Sequence, residues 1–167
     1  MTHSALKMKT DIESPETGLE HRKRLANSLC GLLADTYLLL VKTQGYHWNV
    51  VGPLFISLHR LTEEQYQNLF EAVDDLAERV RALGFPAPSS ITEMVAMAEI
   101  VEDTGNPTAE QMVEMLVADH ERIVRRLRAA TVTAEELHDV VTAGMLTERM
   151  QFHEQAVWML RAVIAGK

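Results

Sequence analysis

Apolar residues recur along positions 19–45 with the three- and four-residue spacing of a helix that buries one face. This pattern predicts a first long helix from Leu19 to about Gly45. Its apolar stripe consists of Leu25, Leu29, Leu32, Leu33, Leu39 and Leu40. Residues 49–53 contain Asn, Gly and Pro and are typical of a turn.

The same periodicity resumes from Leu54 to Leu83 and predicts a second long helix. Gly84 follows it and Pro86 lies just beyond, a combination that commonly ends a helix. At about 100° per residue, the apolar side chains of this helix gather on one side, which should pack inward. They are Leu58, Leu69, Val73, Leu76, Val80 and Leu83.

Capping signals mark the next two helices. Ser90 and Glu93 form a possible capping box for a short helix that ends near Ile100. After the break DTGNP, a second capping box at Thr108 and Gln111 opens a third long helix. The short helix therefore lies on the long connection between the second and third long helices.

The start of the last helix has two interpretations. Thr133 and Glu136 could cap a helix that begins there. Alternatively, the third long helix runs to about Leu137 and breaks near His138 and Asp139. In either case two long helical hairpins joined by a crossover predict an all-α, ferritin-like four-helix bundle. It would span residues 18–167, whereas residues 1–17 are polar and non-periodic and are expected to form a mobile arm.

Composition restricts the class of protein. A formal net charge of −8 argues against a generally basic nucleic-acid-binding surface. Cys30 is the single cysteine, so no intramolecular disulfide can form, and its apolar neighbours favour a core position. No apolar run approaches the length of a membrane span, and the N-terminus lacks a signal-peptide pattern. We therefore expect a cytoplasmic protein.

Possible metal ligands border the apolar stripe of the second long helix. His59 and Glu63, and likewise Asp74 and Glu78, are four residues apart, so each pair presents its side chains together. On this helix alone, a solvent-exposed edge is the commoner explanation of such acids. Neutral imidazoles combined with hard carboxylates, without a thiolate, nevertheless suit ferrous iron.

Helix geometry prevents one copy of the chain from completing this site. His59 and Asp74 are separated by roughly 22 Å at the standard helical rise. Two copies of the helix packed antiparallel about a two-fold axis near Leu69 would bring the two pairs together. His47, beside Trp48 and just after the first helix, would supply a second nitrogen donor. Each histidine alone is more often structural, and it is the combination that points to a shared site.

The usual ferritin arrangement offers an alternative. A di-iron site inside one bundle needs two Glu-x-x-His motifs and two further glutamates. This chain has one such motif, Glu135 to His138, close to a predicted helix end. An intra-bundle site is therefore disfavoured.

The sequence resembles the Dps family (DNA-binding proteins from starved cells), which are ferritin-like mini-cages. The resemblance rests on HWN, Gly-Pro and Phe55, then Leu58-His59, VDDLAERVRALG at 73–84 and LTERMQFHEQAVWML at 146–160. It covers nearly all of the chain after residue 19. The positions at +12, +16, +27 and +31 from His47 match the family's ferroxidase ligands.

The resemblance implies a function. His47, His59 and Glu63 would come from one subunit, and Asp74 and Glu78 from its two-fold mate. The subunits would form a dodecameric shell that oxidises Fe(II) to Fe(III), preferentially with hydrogen peroxide, and stores a ferric mineral. Trp48 would lie beside the iron as an electron donor, although an aromatic that packs at the interface is an equal alternative.

Three positions depart from the family pattern. Glu63 stands where Asp is usual and is one methylene longer, so a second metal site could be weaker. The Thr142-Ala143-Gly144 triplet lacks the aspartate that commonly lines an iron-entry pore, with Asp139 the nearest remaining acid. His138 replaces a glycine that is common between the last two long helices, which favours a break there.

DNA compaction is the competing function. Family members that bind DNA typically carry a lysine-rich arm. Here Lys7 and Lys9 are offset by three acids in the arm, so it is not basic overall. Arg22, Lys23 and Arg24, at the start of the first helix, are expected to be a solvated face. DNA is therefore a possible partner that the sequence does not favour.

Overall fold

The structure is a computed structural model that describes residues 15–165. Its helices are α1 (Arg22–Asn49), α2 (Phe55–Ala82), α3 (Ile91–Met97), α4 (Ala109–Glu136) and α5 (Val140–Ile164). Residues 15–165 contain no strand. Four long helices with a short one in the crossover confirm the predicted all-α, ferritin-like bundle.

The predicted arm is only partly covered. Residues 1–14 lie outside the described residues, and the same is true of residues 166–167 at the other end. Residues 15–17 are exposed and non-helical. The mobility of residues 1–17 therefore stays a prediction.

The bundle consists of two helical hairpins packed face to face. Helix α1 pairs with α2 and α4 pairs with α5, while α1 also packs on α4 and on α3. Each long helix contributes fully buried leucines, for example Leu29, Leu69, Leu116 and Leu160. Burying one such side chain contributes about 1.5–3 kcal/mol. The predicted stripes are thus the core, with Val73 only partly buried.

Helix α1 ends later than the sequence pattern indicated. It continues through Gly45 to Asn49, so the predicted end at Gly45 is wrong. Tyr46 and His47 are both buried against the rest of the bundle, and this packing outweighs the weak helix propensity of glycine. His47 and Trp48 consequently lie in the last turn of α1 rather than beyond it.

The capping predictions can be compared with the observed hydrogen bonds. The capping box of Thr108 and Gln111 is complete, which confirms it. The Ser90 hydroxyl accepts a bond from the Glu93 backbone N–H, but the Glu93 carboxylate returns to the N–H of Ser89. Helix α3 ends at Met97, earlier than predicted.

The break between α4 and α5 lies at residues 137–139, as the second interpretation predicted. His138 adopts the left-handed conformation, with φ 57°, and the Asp139 side chain accepts a bond from the backbone N–H of Thr142. The alternative start at Thr133 is wrong. Thr133 lies inside α4 and its hydroxyl donates to the backbone carbonyl of Ala129.

Helix α1 also contains a stretch that is long and apolar enough, by length and composition, to cross a membrane. This corrects the prediction that no apolar run approached that length. In the bundle 72% of the stretch is buried. Its composition is accounted for by its place in the core.

A buried carboxylate anchors the crossover to the bundle. Asp35 of α1 is fully buried and accepts hydrogen bonds from the backbone N–H groups of Glu99 (2.6 Å) and Ile100 (2.9 Å). The Arg126 guanidinium of α4 forms an ion pair with the same carboxylate and a second one with the Glu99 side chain. Asp35 therefore joins α1, α4 and the segment that follows α3.

We expect Asp35→Ala to lower the free energy of unfolding by about 2–4 kcal/mol, because two buried N–H groups lose their acceptor and Arg126 loses a partner. Denaturant unfolding at a fixed protein concentration measures this loss. Glu136→Ala, which removes the exposed ion pair with Arg24, is the matched control and should change little. An equal effect of both variants would contradict the anchoring role.

Candidate metal centre

The centre of the predicted site is a pair of histidines joined by reciprocal hydrogen bonds. His47 lies in the last turn of α1 and His59 in the second turn of α2. The Nδ1 atom of His47 is 2.8 Å from the backbone carbonyl oxygen of His59. The Nδ1 atom of His59 is 2.9 Å from the backbone carbonyl oxygen of His47. The turn at residues 50–54 thus brings two residues twelve positions apart into direct contact.

These bonds determine the tautomer of both rings. A carbonyl oxygen can only accept, so each Nδ1 must carry the proton and donate it. In the neutral imidazole the remaining nitrogen, Nε2, then has a free lone pair, which is the form that binds a metal ion. Within residues 15–165 neither Nε2 atom has a hydrogen-bond partner, and neither is sealed from solvent. The pair therefore presents two preoriented nitrogen donors.

Aromatic packing fixes the orientation of the two imidazoles. Their ring centroids are 3.8 Å apart and the rings are nearly parallel. Phe55 stacks on His59 with ring centroids 5.0 Å apart, and Tyr66 contacts His47 edge-on at 5.2 Å. These four rings therefore form one aromatic cluster, which restricts rotation of the ligating side chains. Phe55 and Tyr66 were not predicted from the sequence to have this role, although their spacing of −4 and +7 from His59 is that of one helix face.

The carboxylates do not join the histidines within one chain. Glu63 is half-buried one turn after His59, whereas Asp74 and Glu78 are exposed farther along α2. Across residues 15–165 no three His, Cys, Asp or Glu side chains come close enough to hold a metal ion. None of these three carboxylates has a hydrogen bond or ion pair with another described side chain. One chain thus carries a nitrogen half-site and, elsewhere, unpaired acids.

Trp48 occupies a different environment from its neighbour His47. It is 68% exposed and, with Asn49 and Asp103, lines a surface cavity of about 460 Å³ between the end of α1 and the loop before α4. His47 instead contacts His59 and Tyr66. The exposed indole is available to another subunit, and its part in iron chemistry stays a prediction.

Asp139, the acid that the sequence places nearest the predicted pore triplet, has a structural role. Asp139 is only 2% exposed, and its carboxylate accepts bonds from Arg79 (2.8 Å) and from Thr142. Burial alone would raise the pKa of Asp139, but the bonds from Thr142 and Arg79 outweigh it and lower that pKa. Asp139 is therefore an ionised cap and ion-pair partner, and it offers no free carboxylate to a pore.

Gly144 and the single Glu-x-x-His motif lie on the surface. Gly144 is exposed on α5, and a Cβ added there would meet no atom within 4 Å. Glu135 and His138 are both exposed, at the break between α4 and α5. The motif thus lies at the exposed end of α4 and in the turn that follows it, not in the bundle interior.

Comparisons with known proteins agree with this architecture. The family model described as a ferritin-like domain matches residues 26–166. The chain is 47% identical over 150 residues to a low temperature-induced protein of Nostoc sp., covering 89% of this chain and 84% of the relative. It is 35% identical over 157 residues to a DNA protection during starvation protein of Brevibacillus brevis, covering 94% and 99%.

A solved structure gives the same result in three dimensions. The Dps protein of Vibrio cholerae O1, described as a member of a broad superfamily of ferritin-like diiron-carboxylate proteins, superposes with a TM-score of 0.85. It is 30% identical and the match covers 92% of this chain and 98% of that one. With the bundle, the crossover helix and the sequence likeness in agreement, this chain belongs to the Dps family of ferritin-like proteins.

Proposed function

We propose that this chain is an iron-storage and detoxification mini-ferritin that oxidises Fe(II) with hydrogen peroxide at sites shared between subunits. The observation that carries the proposal is the reciprocal His47–His59 pair, because it leaves two neutral Nε2 donors uncommitted. Membership of the Dps family supports iron handling in general. The assembly would be a dodecameric shell in the bacterial cytoplasm that stores ferric mineral.

Each site would combine residues from two copies of α2. His47, His59 and Glu63 of one subunit would face Asp74 and Glu78 of its two-fold partner. An exposed aromatic side chain supports this packing, since Phe70 is 68% exposed beside the proposed axis at Leu69. Covering that ring on assembly would contribute to the subunit contact.

The ligand chemistry favours oxidation of iron. Carboxylate oxygens stabilise Fe(III) more than Fe(II), because the more highly charged ion gains more from anionic ligands. Two Fe(II) ions, one hydrogen peroxide molecule and two protons would give two Fe(III) ions and two water molecules. Paired electron transfer avoids releasing a hydroxyl radical. Glu63 would bind iron with a longer side chain than aspartate, and Trp48 is the proposed auxiliary electron donor.

A mixing experiment tests whether the site is shared. His59→Ala removes the nitrogen donor of every site, and Asp74→Ala removes an acid of every site, so each homo-oligomer should lose fast ferroxidation. Co-assembly of the two variants in equal amounts should restore roughly a quarter of wild-type sites, because one site in four pairs the two intact halves. Ferric absorbance after anaerobic Fe(II) loading and peroxide addition measures the rate.

The control is a mixture of the two variants assembled separately, which should stay inactive. Size-exclusion chromatography verifies that every sample is oligomeric. Recovery of activity in the mixture of separately assembled variants, or no recovery in the co-assembled sample, would rule out a site built from two chains. Replacing peroxide with dioxygen in the same assay determines the oxidant.

The altered pore triplet leads to a separate expectation. Gly144→Asp restores an acid where open space is available, and the carboxylate should attract Fe(II) toward the shell. We expect faster Fe(II) entry, with the gain shrinking as salt is raised. Stopped-flow ferroxidation at low iron measures it, and Gly144→Asn is the matched neutral control. Equal rates for the two variants would exclude an electrostatic role for this position.

DNA binding is the second candidate, because relatives in Brevibacillus brevis and Bacillus anthracis are named for DNA protection during starvation. The chain's net charge of −8 opposes it. We expect retardation of DNA only at low salt, lost between about 50 and about 200 mM. If the arm binds DNA, the double variant Lys7→Ala/Lys9→Ala should weaken DNA binding more than Lys23→Ala does. Tight binding at high salt would make DNA the leading function.

A further inference from the structure

Two more histidines form a pair in the interior of the bundle, on α4 and α5 rather than on the helices that carry the proposed metal ligands. His120 of α4 and His153 of α5 are both 0% exposed. Their Nδ1 atoms are 2.8 Å apart. One ring must donate and the other must accept, so the two neutral imidazoles are held as opposite tautomers. One keeps its proton on Nδ1 and the other on Nε2.

Each ring has a second nitrogen that is sealed without a partner. The Nε2 atoms of His120 and His153 are buried and make no hydrogen bond. The only other buried side-chain atoms in this position, among residues 15–165, belong to Gln65 and Arg149. A buried unpaired donor or acceptor costs about 1–3 kcal/mol. The α4–α5 hairpin thus contains buried polar groups that lower the stability of the folded state.

The surroundings disfavour a positive charge on the pair. Phe152 contacts both rings, and the Arg149 guanidinium lies 4.5 Å above the Phe152 ring. Arg149 donates to Asn68 of α2 and interacts electrostatically with Glu71 and Asp75 of the same helix. The carboxylates of α2 therefore compensate the charge of Arg149 and would not compensate a charge on the histidines.

The nearby carboxylate of α4 is also paired with another side chain and does not compensate a charge on the histidines. On α4, Asp119 precedes His120 in sequence, but Lys42 of α1 holds it in an ion pair at 2.5 Å. Neither histidine of the pair has an ion pair with a described carboxylate. Protons taken up here would remain uncompensated beside Arg149.

We propose that the His120–His153 pair is a proton-sensitive latch, which holds α4 against α5 while its rings are neutral and loosens that hairpin in acid. One added proton places a charge in the core next to Arg149. A second proton removes the only acceptor of the Nδ1–Nδ1 hydrogen bond, so the link between the helices is lost. The inference does not depend on iron binding, since neither residue belongs to the proposed centre.

The direction of the pH dependence follows from the protonation of the two states. Burial, and then the charge of Arg149, lower the pKa of His120 to about 3. Burial, His120 and Arg149 also lower the pKa of His153 well below its ordinary value. In the unfolded chain both groups titrate near 6.5. The unfolded chain therefore binds more protons below that pH, and stability falls as the pH drops from about 6.5 toward 3.

Replacing the two histidines one after the other should reduce the pH dependence of stability in two steps. At pH 5 we expect unfolding of the wild type to take up about two protons more than unfolding of His120→Leu/His153→Leu. The single variant His120→Leu, which keeps one buried histidine, should lie about one proton below the wild type. The slope of the unfolding free energy against pH measures the uptake. Equal slopes for wild type and double variant would overturn the proposal.

Hydrogen exchange locates the effect in the assembled protein. After correction for intrinsic exchange, amides of α4 and α5 should lose protection relative to those of α1 and α2 as the pH falls from 7 to 4, and should regain it on neutralisation. In the double variant this difference should disappear. A parallel loss in all four helices would show general acid destabilisation and no latch.

A measurement on the wild type covers the case in which the double variant does not fold. Solid-state ¹⁵N spectra of the histidine-labelled oligomer at neutral pH should show two neutral rings of opposite tautomer linked by an Nδ1–H···Nδ1 bond. His47 and His59 should both show the Nδ1–H form. If the His120 and His153 rings had the same tautomer, or if either of these two rings were charged at neutral pH, the latch would be refuted.

Discussion

The length of α2 is the constraint from which the proposed site follows. The helix is 28 residues long and rigid, so its two ends cannot approach each other. It carries the His59 half of the ligand set near its start and the Asp74–Glu78 half beyond its middle. A centre that uses both halves must therefore recruit the second half from another copy. Assembly is then a condition of the proposed chemistry and not an addition to it.

The hairpin of α1 and α2 turns this constraint into a defined half-site. Extending α1 past Gly45 places His47 opposite His59, where each backbone carbonyl accepts the Nδ1 proton of the other ring. The same two bonds close the hairpin and determine the tautomers, so folding and ligand preparation are one event. Phe55 contacts His59 and Tyr66 contacts His47, which limits the movement of both imidazole rings. Little reorganisation would remain when a metal ion arrives.

Sequence patterns were informative where local chemistry decides the outcome. The leucine stripes gave the core, the Thr108 box gave the start of α4, and the non-glycine residue His138 correctly marked the break before α5. They failed where packing between distant segments determines the structure, as at Gly45, where α1 was predicted to end. Anchoring of the crossover by Asp35 depends on contacts more than sixty residues away in the chain. No local pattern contains that information.

The two histidine pairs show why residue type alone does not identify a metal ligand. All four histidines occupy helices beside apolar neighbours, and the sequence singled out only those whose spacing from acids suited iron. The Nδ1 atoms of His47 and His59 are hydrogen-bonded to carbonyl oxygens, and their Nε2 atoms lie near solvent. The Nδ1 atoms of His120 and His153 are hydrogen-bonded to each other, and their Nε2 atoms are sealed in the core. The first arrangement leaves lone pairs available to a cation. The second leaves none accessible, and its neighbouring guanidinium would repel a cation, so protons are the charge that this interior pair can sense.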